Sequence, residues 1–218
     1  MVVSKQSTNP RCNLVSKGET IKQVTKFKYL GYLITSDGKC ITEIRKRIAM
    51  AKDTFQKMKP ILANRNISMA TKLKAMKTYV WAVLLYGCEC WTMNSEIVKK
   101  LEAVEMWFIR RMMRISWTER RSNESVLKDA NLERTLIRTI RERQLKFLGH
   151  VIRNKGLEHL AITGKIKGKR SRGRQRLTFI NSIDTWSLKM GNNKFLRQAE
   201  DRSGWRAMIA NVCSRQGT

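Results

Sequence analysis

The chain is predicted to be mainly α-helical, opening with a short antiparallel β-hairpin region and continuing as a helical bundle and a basic helical C-terminal region. Three observations predict this. Its 218 residues hold only two prolines and twelve glycines, so helical periodicity is rarely interrupted. From Ile41 onward, apolar residues recur at steps of three and four. Before that point the pattern alternates with period two and is punctuated by Asn, Gly and Asp. The expected organisation is a hairpin region at 1–38, a helical bundle at 39–117 and a basic helical region at 118–218 with a mobile basic loop at 165–176.

The first segment reads as a small antiparallel set. Met1–Val3, a strand near Asn13–Ser16, a turn at Lys17-Gly18, a strand through Ile21–Val24 and the stretch FKYLGYLITSDGK (Phe27–Lys39) supply the strands. Asp37-Gly38 reads as a turn, where Asp is favoured for backbone reasons alone. Ile41, Ile44, Ile48, Ala51, Phe55 and Met58 then form one apolar face of a helix that Pro60 stops or redirects. Ser68 caps a helix carrying Leu73, Met76, Val80 and Leu84, and Gly87 ends it. Asn94 or Ser95 caps a third, with the stripe Ile97, Leu101, Val104, Phe108, Met112 and Ile115. Ser122 or Asn123 opens a short helix through Val126 and Leu127, and another runs from about Glu133 to Ile152. Beyond the basic run, helices are predicted around Phe179–Trp186, around Phe195-Leu196, and through Trp205, Met208, Ile209 and Val212. Packing is the first role of all these stripes.

Charge is the strongest global signal. Lys and Arg number 45 against 17 Asp and Glu, a formal net charge of +28. A surface this positive fits a polyanion, and nucleic acid is the usual one because each neutralised phosphate releases counterions. The run KIKGKRSRGRQR (165–176) has seven basic residues, Lys165, Lys167, Lys169, Arg170, Arg172, Arg174 and Arg176, and no acidic one. It reads as an extended phosphate clamp, a nuclear import signal or a solvated charge run. The corresponding expectation is an intracellular protein, nuclear rather than cytoplasmic. No apolar run approaches the roughly 20 residues of a membrane span, so no membrane partner is expected.

The five cysteines are odd in number and read as reduced thiols. Cys88-Glu-Cys90 chelates poorly inside a helix, and His150 and His159 are too far apart for a helical metal pair, so neither metal nor cofactor is expected in this chain. Two-metal phosphoryl transfer needs closely placed carboxylates, and only Glu200-Asp201 are adjacent acids. GxxxxGK[ST], HExxH and GxSxG are all absent. The residues point to binding, with no catalytic residue assigned.

An ordered set of motifs carries a resemblance. QVTKFKYLGYLI (Gln23–Ile34), EIRKRIAMAK (Glu43–Lys52), LLYGCECWT (Leu84–Thr92), FIRRMMRISW (Phe108–Trp117), LKFLGHVIR (Leu145–Arg153), GKRSRGRQR (Gly168–Arg176) and DRSGWRAMIANV (Asp201–Val212) follow one another over nearly the whole chain. Together they resemble the region after the catalytic palm in reverse transcriptases of non-long-terminal-repeat, LINE-type retrotransposons. The resemblance implies that 1–38 is the end of the palm with the primer-grip hairpin, that 39–117 is thumb-like, and that the partners are RNA and DNA as a primer–template duplex, together with an upstream polymerase half. It implies that Met1 corresponds to an internal methionine. The family's Tyr/Phe-Ala-Asp-Asp hairpin, which holds Mg2+, is not among these 218 residues. This chain alone is therefore expected to be inactive as an RNA-directed DNA polymerase. On the resemblance, Lys26 and Lys28 reach phosphate, Gly31 admits a close backbone, and Phe27, Tyr29 and Tyr32 touch sugars or pack the hairpin. Arg110, Arg111 and Arg114, read as lying on one helix, either bind phosphate bidentately or form a solvated face. A basic adaptor for RNA or protein partners, without catalysis, is the alternative reading.

Overall fold

The computed structural model describes residues 1–3, 10–163, 178–187 and 191–214. It is mainly helical, with two short antiparallel hairpins at the N-terminus followed by a helical bundle. The basic run at 165–176 lies outside the described residues.

Strands β1 (Leu14–Ser16) and β2 (Glu19–Ile21) pair antiparallel with Val15 opposite Thr20. Strands β3 (Lys26–Tyr29) and β4 (Tyr32–Thr35) pair with Lys28 opposite Leu33. Each hairpin turns on two residues with positive φ, Lys17-Gly18 and Leu30-Gly31. Such turns match the twist of the flanking strands. The anticipated single set is therefore two separate hairpins: Met1–Val3 form no strand, and the second strand starts at Glu19 rather than Ile21. Every residue of β1 and β2 is exposed, so that pair has no buried face on which a third strand would assemble. Asp37-Gly38 forms a turn, as expected, with Gly38 N donating to Thr35 O at 3.0 Å, while the β3–β4 hairpin itself turns at Leu30-Gly31. The Asp37-Gly38 turn closes the chain toward the first helix, where the Asp37 carboxylate accepts from the Thr35 hydroxyl and the Lys39 N–H.

Helix α1 (Ile41–Lys57) buries Ile44, Ala51 and Phe55. Pro60 sits in the first turn of α2 (Lys59–Leu62), where a missing N–H costs nothing. The Ser68 hydroxyl caps α3 (Met69–Ala75), accepting from Thr71 N at 3.3 Å. The helix expected through Leu84 is interrupted by a π-helical turn (Met76–Val80) before α4 (Trp81–Leu84). That helix ends at Leu84 with Leu85 as its C-cap, and Gly87, expected to end it, lies two residues beyond the cap at φ 70° and opens the 3-10 turn Cys88–Cys90. Asn94 caps α5 (Ser95–Met112), and Ser122 caps α6 (Asn123–Ala130). Helix α7 (Leu136–Asn154) begins three residues later than its periodicity suggests. Its first N–H groups, Thr135 and Leu136, donate to the carboxylate of Glu105 on α5. That distant cap decides where the helix starts. Helices α8 (Leu157–Thr163), α9 (Phe179–Trp186), α10 (Asn192–Glu200) and α11 (Arg202–Ser214) follow.

Two apolar clusters result. The first gathers α1 to α6 around Phe55, Leu84, Trp91, Leu101 and Phe108. The second gathers α7 and α9 to α11 around Leu148, Ile183, Phe195 and Trp205. Helix α7 is the spine of both, placing Leu136 and Ile140 in the first and Leu145, Leu148 and Ile152 in the second. A reciprocal pair ties them together: the Ser182 hydroxyl accepts from Met93 N at 2.9 Å and donates to Met93 O at 3.0 Å. Among the described residues, no helix is long and apolar enough to cross a membrane.

Candidate nucleic-acid interface

Those of the residues singled out in the sequence that the structure describes fall on two places along α1. At its N-terminal end sits the β3–β4 hairpin. Alternation places Lys26 and Lys28 on one face of β3 and Phe27 and Tyr29 on the other, and all four are exposed. Tyr32 instead packs on the first core, and burial raises its hydroxyl pKa, with Cys40 and Glu43 adding to the shift. Gly31, at φ 82°, serves the turn, and the Tyr86 hydroxyl lies 3.6 Å from where a Cβ would stand, with ring atoms at 3.8 Å.

A latch that sequence reasoning missed holds this turn. Glu43 is wholly buried on the first turn of α1. Its carboxylate accepts from Leu33 N at 2.9 Å and from Arg47 Nε at 2.6 Å. Arg47 also donates to the Gly31 carbonyl at 2.6 Å and stacks on the Tyr86 ring at 4.3 Å. The Tyr86 hydroxyl in turn donates to Leu30 O. Both turn carbonyls are thus held, which stabilises Leu30 at φ 45°, a left-handed conformation that disfavours leucine. The i, i+4 spacing of Glu43 and Arg47 was visible in the sequence; their burial was not.

At the C-terminal end of α1, roughly 12 Å further along the axis from Arg47 to Phe55 at 1.5 Å per residue, lies an arginine-rich surface. An open groove of about 1050 Å³ is lined by Trp107, Arg110, Arg111, Trp117, Arg120 and Arg121 among others. A smaller one of about 370 Å³ shares Arg111 and adds Lys59 and Arg114. Arg111 is exposed on α5 and stacks over Trp107 at 4.1 Å, while Lys52 approaches the same ring at 5.0 Å. Arg110 donates to Arg121 O at 2.6 Å and to Asn123 Oδ1 at 3.0 Å.

Arg114 corrects the expectation that three arginines share one helix. Helix α5 ends at Met112 in a Schellman turn, with Ile115 N donating to Arg110 O and Arg114 N to Arg111 O. Arg114 takes the left-handed position, φ 60°, and its Nε donates to Ala63 O at 2.6 Å. Its guanidinium therefore pins the end of α5 to the loop after α2. Lys72, buried beside it, donates to Met112 O at 3.5 Å, and burial, then the nearby Arg114 charge, holds its pKa below the usual lysine value.

Trp117, Arg120 and Arg121 were not singled out beforehand. The available signal was Ser116-x-x-Glu119, a capping box: Ser116 Oγ accepts from Thr118 N, and Glu119 accepts from Ser116 N at 2.7 Å. Lys165, Lys167, Lys169, Arg170, Arg172, Arg174 and Arg176 lie outside the described residues. Among the described residues, no three His, Cys, Asp or Glu side chains gather in metal-binding geometry. Cys88 is buried, its pKa pushed up to about 12 chiefly by desolvation, which disfavours the thiolate a metal would need.

No family model and no solved structure matches the chain. It is similar, at 26% identity over 141 residues, to an uncharacterized transposon-derived protein of Caenorhabditis elegans. The match covers 62% of this chain and 49% of that protein, so the chain spans about half the length of the curated relative it matches.

Proposed function

We propose that the chain is the nucleic-acid-holding part of a reverse transcriptase of a non-long-terminal-repeat, LINE-type element. In this reading the β3–β4 hairpin is a primer grip and α1 to α5 a thumb. An upstream half supplies the paired aspartates and Mg2+, so polymerisation requires both. The observation that carries it is the arrangement along α1: a hairpin with exposed Lys26 and Lys28 latched at one end and an arginine-lined groove at the other. An A-form duplex is gripped through shape and backbone, which asks for cations spaced along a rigid surface. The similarity to a transposon-derived protein accords with a mobile-element origin.

Replacing Lys26, Lys28, Arg110 and Arg111 by Gln should weaken binding to an RNA–DNA hybrid at least tenfold and lower the salt dependence by about one unit of slope per lost phosphate contact. Unchanged affinity and slope would remove this assignment. A second reading, a basic adaptor with a protein partner, draws on the exposed Leu14, Val15 and Ile21 of the first hairpin. It requires tight protein binding that survives Gln replacement of the seven basic residues at 165–176.

A further inference from the structure

The groove at the end of α5 has a feature that duplex binding leaves unused. Trp117 is 88% exposed, the most exposed large apolar side chain among the described residues. It is not on a loose loop: the capping box through Ser116 and Glu119 fixes its turn, and Arg120, at φ 48°, closes it. The Glu119 carboxylate is occupied by Ser116 N, and Asp129 pairs with Arg121. Among the described residues, no carboxylate lines the groove. Among the described residues, Arg110 bonds through Nη2 to Arg121 O and Asn123 Oδ1, which orients the guanidinium without drawing on its Nε or Nη1. Arg111 is oriented by stacking on Trp107.

A rigid, exposed aromatic face beside oriented guanidinium groups is the combination that holds an unpaired base and its flanking phosphates. A duplex cannot use the aromatic face, because its bases are already stacked on each other. At about 1050 Å³ the groove is large enough for a base and its flanking phosphates. We propose that this groove holds a single-stranded segment of nucleic acid, one base stacked on Trp117 and the adjoining phosphates on Arg110, Arg111 and Arg120. The inference rests on the reading that the chain binds nucleic acid and deepens it: the groove's arginines serve either backbone, and Trp117 adds a stacking face that only an unpaired strand can use.

The test uses the full chain, fluorescence anisotropy, a short labelled oligouridine and an RNA–DNA hybrid of the same length. Trp117→Ala should weaken oligouridine binding about tenfold or more and leave hybrid binding within about twofold. Its salt slope for oligouridine should be unchanged, since stacking releases no counterion. Trp117→Phe, which keeps an aromatic face, should restore most of the affinity. Equal losses on both ligands, or no loss on oligouridine while the wild-type chain still binds the hybrid, would overturn this inference alone. If the wild-type chain binds neither ligand, the reading as a nucleic-acid-holding region falls with it.

Discussion

Glu105 shows how one residue sets a boundary that local sequence does not. It is 2% exposed, and its Oε1 accepts from both Thr135 N and Leu136 N, 2.8 and 2.9 Å away. Burial raises its pKa despite these two N–H donors. The sign follows from linkage. Below the unfolded carboxylate range both states carry the proton and the site costs nothing. As pH rises through that range the unfolded chain ionises first, so stability is lost until pH passes the raised folded value. Glu105→Gln keeps an acceptor oxygen and cannot ionise. Its melting temperature should therefore gain on wild type as pH rises from about 4 to 7. A constant difference across that interval would show that Glu105 is not perturbed. The Glu43–Arg47 pair works at the same scale, converting an ordinary helical spacing into a buried latch on the hairpin turn.

At the scale of elements, α7 and α11 meet closely enough that only glycine fits between them. A Cβ on Gly149 would stand 2.3 Å from Trp205 Nε1, which donates to Leu145 O at 2.9 Å. Gly149→Ala should destabilise the second cluster by about 1–3 kcal/mol, read by chemical denaturation with Trp fluorescence. A loss below about 0.5 kcal/mol would mean the helices part without cost. The helices themselves were legible beforehand, because the stripe Ile97 to Met112 and the caps Ser68, Asn94 and Ser122 are properties of adjacent residues. What the sequence did not disclose came from a contact far along the chain in one case and from local backbone geometry that periodicity does not mark in two others. The Glu105 cap delayed α7, the π-helical turn broke the helix at Met76, and the left-handed turn took Arg114 off α5. The β region was legible in its Lys17-Gly18 and Asp37-Gly38 turns but not in the Leu30-Gly31 turn or in its grouping, since pairing beyond a hairpin depends on a buried face that β1 and β2 lack.

For the whole molecule, the net charge of +28 is what makes a polyanion the expected class of partner. The candidate surface was only half legible. Lys26, Lys28, Arg110 and Arg111 stand exposed or line the groove, whereas Trp117, Arg120 and Arg121 join it through a capped turn whose outward aromatic ring no periodicity marks. This surface is proposed to grip a nucleic-acid backbone. The most direct measurement is the affinity of the full chain for an RNA–DNA hybrid as a function of salt. Engagement of about six phosphates predicts a log–log slope of roughly −4 to −5.5; a slope near zero would contradict the claim.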